Sequence, residues 1–574
     1  MFNKIQKRDG TIEDFSIEEF ISAIVRAAEA VQVSIEPYSI ARDAIKILES
    51  QHPGTDTTTV EDALDAIEIS LMKNDYSNVA KAFIIYRNRH NRVREQNSVF
   101  TKAIDNISLD FEIKGNASEW LWEVAHISSY CYTIYKLLPQ RISHYFTENY
   151  IWIHGLPYFG RTIRNISYNV DEVFTPKYFE SRGMNQPKRV SVLANHIQQL
   201  AESIHDDIGG EHTYHGFDTS IEKLIAKLPQ KPTKADIQQA AEYFVYSLNN
   251  KSRTHTSGTI TGPCLNIGLE EGENARTFVR YMLSTMANIQ SQYKSNRVAP
   301  YIVYTLNDEV NVSPGSPNYD IFNMVLNLAS KRGGINFAWR SPELSHFPSG
   351  YTAEVNTSTN LQLTLNLPKI ALNSQGNFID SLHNVVNIAA EIIDLDTKML
   401  LSRDVDNFPT ISKFNINGRS YDGTEKFTNL FNNSKISIGI TGLVETVKLL
   451  NPNASFNELP TLTAELLQKI KRRIYLQDKR YKLIVSSDLK ITNTLFESER
   501  QRAQLSQHGI SQYSPGITLL PIGYNVKDRI SLENDLYQFF DSPVPVLVQR
   551  EKGKEEILEA ITAIKDYNAT IIVL

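Results

Sequence analysis

Two periodicities divide this chain. In the first part, to about residue 95, apolar positions recur at helical spacing. Ile17, Phe20, Ile21, Ile24, Val25 and Ala28 mark one face of a first helix. Ser16 is its expected N-cap, with Glu19 three residues on completing a capping box. After a polar connection over 51–58, Leu64, Ile67, Leu71 and Met72 mark a second helix. Ala80, Phe83, Ile84 and Tyr86 mark a third, which runs into Arg87, Arg89, Arg92 and Arg94. From about residue 99 the chain reads helical and aromatic-rich, and 187–260 reads mostly helical. Strand patterns then alternate with helices. APYIVYTLNDEVN, SPNYDIFNMVLNLASKR and GINFAW predict strand, helix and strand, the helix being apolar at Ile321, Met324, Val325 and Leu328. Residues 347–371 organise the rest. They predict an irregular loop rich in Pro, Gly, Ser and Thr. A half-buried strand follows, with Leu361, Leu363, Leu365 and Leu367 alternating against Gln362, Thr364 and Asn366, and Pro368 opens a helix. PVLVQ and ATIIVL are late strands flanking a helix that ends near Lys565. Such alternation argues for an α/β barrel.

Composition narrows the classes. With 574 residues, 41% hydrophobic and 22% charged, the chain is long enough for several domains with ordinary cores. A net charge of -6 with both signs interspersed gives no global nucleic-acid or membrane surface, although local sites for small anions remain open. No apolar run approaches a membrane span and the N-terminus is charged, so a soluble cytoplasmic protein is expected. Cys131 and Cys264 cannot build a disulfide framework or a four-cysteine zinc site. His205, Asp206, Asp207, His212 and His215 are expected on an exposed loop as polar turn residues, not as metal ligands, because their spacing fits no helical ligand pair. KRRIYLQDKRYK over 471–482 is expected to be the charged face of a long helix.

KRDG at 7–10, Phe15, EISLM and KAFIIYRNR together resemble the ATP-cone, the small helical nucleotide-sensing domain of ribonucleotide reductases. The resemblance implies that Lys7, Arg8, Arg87 and Arg89, with the turn at Gly10, converge on a triphosphate, while Glu13, Ser16 and Thr59 meet base and ribose. The implied ligand is ATP or dATP, with Mg. Glu19 stands where the family carries Lys or Arg near the phosphates, so repulsion replaces attraction there.

The remainder resembles the anaerobic, glycyl-radical (class III) ribonucleoside-triphosphate reductases. In LPQRISHYFTENYIWIHGLPYFGRTIRNISYNV, His154 and Asn165 match the family. Gly155 stands where it has Asp, and Ile166 where it has the second active-site cysteine. The loop that bears the thiyl-forming cysteine in the family reads Pro348, Ser349, Gly350, Tyr351 and Thr352 here, so tyrosine occupies the cysteine position, and Asn360 follows among the altered active-site positions. Cys264, in TSGTITGPCLNIGLE, falls where the family places no reactive cysteine and is expected to be a buried structural thiol. Gly439 and Gly442, in SKISIGITGLVETVKLL, imply close backbone approach to a phosphate or to another strand. The phosphate-cradling turn is altered to Ser486, Ser487, Asp488 and Leu489.

The implied architecture is an ATP-cone over 1–98 and, over 99–574, the ten-stranded α/β barrel of reductases and other glycyl-radical enzymes, ending before a zinc module and a glycyl-radical loop. Gly350 and Gly523 each precede Tyr, without the radical loop's Arg-Val context. Three readings stand. One is a nucleotide-binding homologue inactive in reduction, with no zinc and no glycyl radical, acting as sensor, regulator or assembly component. The second is an active or split reductase, and the third a repurposed nucleotide hydrolase. Resemblance implies a homodimer or larger assembly, with nucleotides as ligands and neither nucleic acid nor membrane as partner.

Overall fold

The computed structural model describes residues 2–7, 11–87, 100–105, 117–249, 262–293, 299–339, 344–412, 434–486, 489–497, 499–514, 516–521 and 523–574. The chain divides into two units, 1–115 and 116–574. The division falls within 106–116, which lies outside the described residues, and beyond the 98/99 boundary expected from the sequence.

In the first unit the three patterned helices form at Ile17–Ala30, Val60–Lys73 and residues 77–87. Phe20, Ile24, Ile67, Leu71 and Phe83 meet in its core. The pattern left out the helix Pro37–Gln51, which buries Ile40, Ala44 and Leu48 there. It also left out a small sheet in which Lys4–Gln6 pairs antiparallel with Ile12–Asp14 and parallel with Thr57–Thr59. Strands of three residues are too short to display an alternation. The expected capping box is not formed: the Ser16 hydroxyl donates to Glu18 (2.8 Å) and accepts no backbone N–H. Thr59 does cap, accepting from the Asp62 N–H at 3.1 Å.

The second unit is the barrel. Its strands are β1 (Asn165–Tyr168), β2 (His212–Tyr214), β3 (Cys264–Ile267), β4 (Tyr301–Leu306), β5 (Ile335–Trp339), β6 (Ser358–Asn366), β7 (Lys435–Thr441), β8 (Tyr481–Val485), β9 (Val544–Val548) and β10 (Ala569–Val573). β1 to β5 run parallel in that order, as do β6–β7–β8 and the pair β9–β10. The antiparallel contacts β1–β6 and β5–β10 join the halves. Where β8 faces β9, Asp541 supplies the link: its N–H donates to the Leu483 carbonyl (2.9 Å) and its carboxylate accepts the Leu483 N–H (2.8 Å). Helices pack outside against one continuous apolar layer.

Three expectations change. The strand β6 is buried at every position, not half-buried. Leu361, Leu363 and Leu365 face the outer apolar layer, while Gln362 and Thr364 face the lumen, where a closed barrel shields polar side chains from bulk water. The irregular loop is a hairpin, with Leu344–His346 antiparallel to Thr352–Glu354. The charged segment 471–482 is helical only to Gln477, and Tyr481 begins β8. Gly439 and Gly442 serve packing. A Cβ on Gly439 would stand 3.0 Å from Thr364 Oγ1 on β6, and one on Gly442 would stand 2.4 Å from Pro368 Cγ.

Candidate functional site

The hairpin is threaded into the barrel and hydrogen-bonded to several strands. Asn266 of β3 acts as a substitute backbone for it. Its Nδ2 donates to the His346 carbonyl and its Oδ1 accepts the His346 N–H, both at 2.9 Å. Thr213 Oγ1 adds a bond of 3.3 Å to the same carbonyl. Ser167 of β1 donates to Ser345, which lies 2.9 Å from His215 Nδ1. Asn336 of β5 donates to the Pro348 carbonyl at 3.0 Å. At the tip Gly350 adopts φ +84°, and a Cβ there would meet Ile572 and Pro545 at 3.0 Å.

Beneath the tip lies a cavity of about 560 Å³ at the N-terminal ends of β1, β2 and β4. It brings together His154, Gly155, Asn165 and Tyr351. Ile166, Gly350 and Asn360 do not line it. Strand alternation explains Ile166: Asn165 and Ser167 turn inward, so Ile166 joins the outer apolar layer. Asn360 is buried without a hydrogen bond to either amide atom, at an irregularity in the β6–β7 register.

Tyr351 is fixed from below. Gln362 Nε2 donates to its hydroxyl and lies 3.3 Å from His154 Nε2, which in turn lies 2.7 Å from Thr364 Oγ1. Burial, then the neighbouring Arg164, push His154 down to about 3, so the ring is neutral at physiological pH. Burial and nearby His205 do the same to His212, also to about 3. Arg164 is itself buried. Its Nη1 donates to the carbonyls of Tyr158 (3.1 Å) and Thr162 (2.8 Å), and its charge faces Asp396 at 3.6 Å. Glu211 accepts from Ser349 Oγ at 2.6 Å, and its N–H donates to Asn165 Oδ1 at 2.8 Å. Gly210 precedes it because a Cβ there would fall 2.4 Å from the Arg164 carbonyl. Arg164, Glu211, Gln362 and Asp396 escaped the sequence reading. Only Gln362 carried a signal, the polar side of an alternating strand.

Cys264 brings a sulfur to the hairpin. Its thiol faces the lumen, 3.7 Å from the His346 carbonyl, yet is 1% exposed and does not line the cavity. Burial holds its pKa well above the usual thiol range. The His/Asp cluster is not an exposed loop. His205, Asp206 and Asp207 end the helix Val190–Asp207, and His212 begins β2. Asp207 is buried, accepting the N–H groups of Thr410 (2.7 Å) and Ile411 (2.9 Å), which clamps residues 410–411 to the barrel.

In the first unit Lys7 pairs with Glu13 at 2.6 Å, and the sheet brings Thr59 opposite Gln6. Ser16 immediately precedes the helix Ile17–Ala30. Arg87 is engaged elsewhere, clasped by Glu61 and Asp65 at 2.5 Å and Glu68 at 2.9 Å along one helix face. Arg8, Gly10 and Arg89 lie outside the described residues.

Residues 114–487 match the family described as anaerobic ribonucleoside-triphosphate reductase, and residues 3–92 match the ATP cone domain. An anaerobic ribonucleoside-triphosphate reductase of Haemophilus influenzae is 25% identical over 506 residues, 77% of this chain and 70% of that protein. The Escherichia coli enzyme of that name is 22% identical over 57% of this chain, which spans only 50% of its length. Two crystal structures of the Thermotoga maritima anaerobic ribonucleotide reductase share the fold. The complex with dATP and CTP gives a TM-score of 0.63 at 15% identity, covering 85% of this chain and 90% of that one. The form with citrate in the active site gives 0.60 at 13% identity, covering 84% and 93%.

Proposed function

This chain belongs to the anaerobic ribonucleoside-triphosphate reductase family, and from that premise we propose that it binds adenine nucleotide through its ATP cone while its barrel does not reduce ribonucleotides. The role is then that of a nucleotide sensor, regulator or assembly component, working as a homodimer or larger assembly. One observation carries the reading: the hairpin tip under which the cavity opens holds the Tyr351 phenol, pinned by Gln362. Hydrogen-atom abstraction from a sugar calls for a weak S–H bond cycling through a thiyl radical. A phenol tied to an amide supplies neither.

Support for the cone lies in Lys7, Glu13 and Thr59 gathered at one end of its small sheet, next to the N-terminus of the helix that Thr59 caps. ATP or dATP, with Mg, is the expected ligand. Calorimetry on the full chain tests it: heat is expected with ATP or dATP, and Lys7→Ala should weaken binding about tenfold, the worth of one charge-assisted contact. Absence of heat with either nucleotide refutes the cone assignment.

Cys264 favours a second reading, an active reductase, because it is a sulfur that does face the lumen. The two separate in one assay. With reductant and a radical-generating activator, purified protein should accumulate no deoxynucleotide. Accumulation that disappears in Cys264→Ser would establish the second reading and end the first.

A further inference from the structure

We propose that residues 510–514 and 516–521 form a latch across the barrel seam, bolted by two buried carboxyl groups and released, together with the backing of one cavity wall, as pH rises. The strand order starts at β8 and finishes at β9, and chain outside the ladder bridges the seam between them. Asp541 bridges it at one level and Gly516 at another. A Cβ on Gly516 would stand 3.6 Å from Val485 Cγ1 of β8 and 3.7 Å from the Pro545 carbonyl oxygen of β9.

The latch is buried, with Tyr513, Ile517 and Leu519 at 3%, 2% and 6% exposure. These residues belong to no helix or strand, so their buried backbone donors depend on side chains from elsewhere. Glu445, on the helix Leu443–Leu450, takes the Ser514 N–H (2.9 Å) and hydroxyl (2.6 Å) on Oε1. Glu533, closing the helix Val526–Glu533, takes the Leu519 N–H at 2.8 Å. Tyr513 donates to Asn366 Oδ1 of β6 at 3.0 Å. Tyr513 and Ile510 also pack with Ile491 and Leu495, against Trp152, and both Ile491 and Trp152 line the cavity. Lifting the latch strips the backing from that wall.

Both bolts are carboxyl groups kept from water. Glu445 Oε2 is buried without a hydrogen-bond partner, a poor setting for a full negative charge. Burial raises its pKa, opposed by the Ser514 bonds and Lys448. Burial likewise pushes Glu533 up to about 7, opposed by Arg529 and the N–H groups of Leu519 and Leu520. Tyr537 also faces Glu533, and Glu556, paired with Lys552 at 3.1 Å, faces Arg529. A released Glu533 titrates near the ordinary glutamate value of about 4.3. The closed latch therefore holds the proton more tightly than the open one. Its stabilisation is complete below the released value and is lost as pH rises through about 7.

The test is hydrogen exchange of the full chain, read by mass spectrometry between pH 5 and 8 and corrected for the intrinsic exchange rate at each pH. Where reclosing outpaces exchange, the opening constant of peptides carrying Ser514 and Leu519 should rise on the order of 50-fold over that range. The helix Leu489–Phe496 should rise with it, whereas Phe378–Leu401 stays level. Glu533→Gln, which keeps the shape and an acceptor for the Leu519 N–H, should shrink the rise severalfold. Should that variant fail to fold, Glu445→Gln, judged by the same slope, takes its place. A flat wild-type profile, a rise at the latch that leaves 489–496 unmoved, or a rise unchanged by the substitution overturns the proposal.

Discussion

Asn266 is the residue on which the hairpin's position most depends. Asn266→Ala, made in a Cys131→Ser background, removes both of its bonds to the backbone of His346. The carbonyl keeps Thr213 at 3.3 Å, but no other partner is shown for the buried N–H. Two neutral hydrogen bonds at about 1 kcal/mol each and one orphaned buried donor at about 1 kcal/mol give a loss near 3 kcal/mol. For a unit of this size, with an unfolding entropy of about 2 cal/mol/K per residue, the melting temperature should fall by about 3 °C. A local readout discriminates further. Cys264 sits under the hairpin at 1% exposure, so a thiol reagent reaches it only when the hairpin lifts. If the whole loss falls on that local opening, labelling should accelerate about 100-fold under conditions where reclosing outpaces reaction. Unchanged Cys264 labelling, with or without a lower melting temperature, would refute the claim that Asn266 holds the hairpin in place.

Further predictions concern the clamps and close approaches. Burial pushes Asp207 up to about 6 despite its two backbone N–H bonds, above its unfolded value. Its protonated form is therefore favoured by folding, and this contribution is complete below the unfolded pKa and lost as pH rises through about 6. Wild type minus Asp207→Asn stability should thus rise by about 2 kcal/mol as pH falls from 7 to 4, read by urea denaturation at each pH. A flat difference would exclude a raised pKa. Gly442→Ala should cost about 3 kcal/mol or more, because φ is +69° and Pro368 blocks the new methyl, whereas Gly376→Ala, at φ +88° with open space around it, should cost only about 1 kcal/mol; equal melting shifts would rule out the clash. Arg87→Met leaves Glu61, Asp65 and Glu68 repelling one another and should lower the stability of the first unit by about 1 kcal/mol at low salt, less at high salt; a salt-independent loss would mean packing, not charge, is at work.

The barrel's strands and helices were legible because burial imposes period: Ile321, Val325 and Leu328 on a helix, Leu361, Leu363 and Leu365 on a strand. The family was legible because its motifs are contiguous, and the tyrosine at the hairpin tip stood plainly at residue 351. What a linear chain cannot display is which way a strand side chain turns, or what stands across from it. Ile166 looked like an active-site position until alternation turned it to the outer layer and left Asn165 and Ser167 inside. Gln362 and Thr364 looked like the wet side of a half-buried strand, because a polar lumen and open solvent favour the same residue types. Arg87 looked like a phosphate ligand, yet a stripe of three carboxylates some twenty residues earlier claims it. Local order in the sequence fixes period and propensity. Closure of the barrel, by bringing Asp396 to Arg164, Ser349 to Glu211 and Gln362 to Tyr351 across long stretches of chain, decides the charge and shape of the cavity.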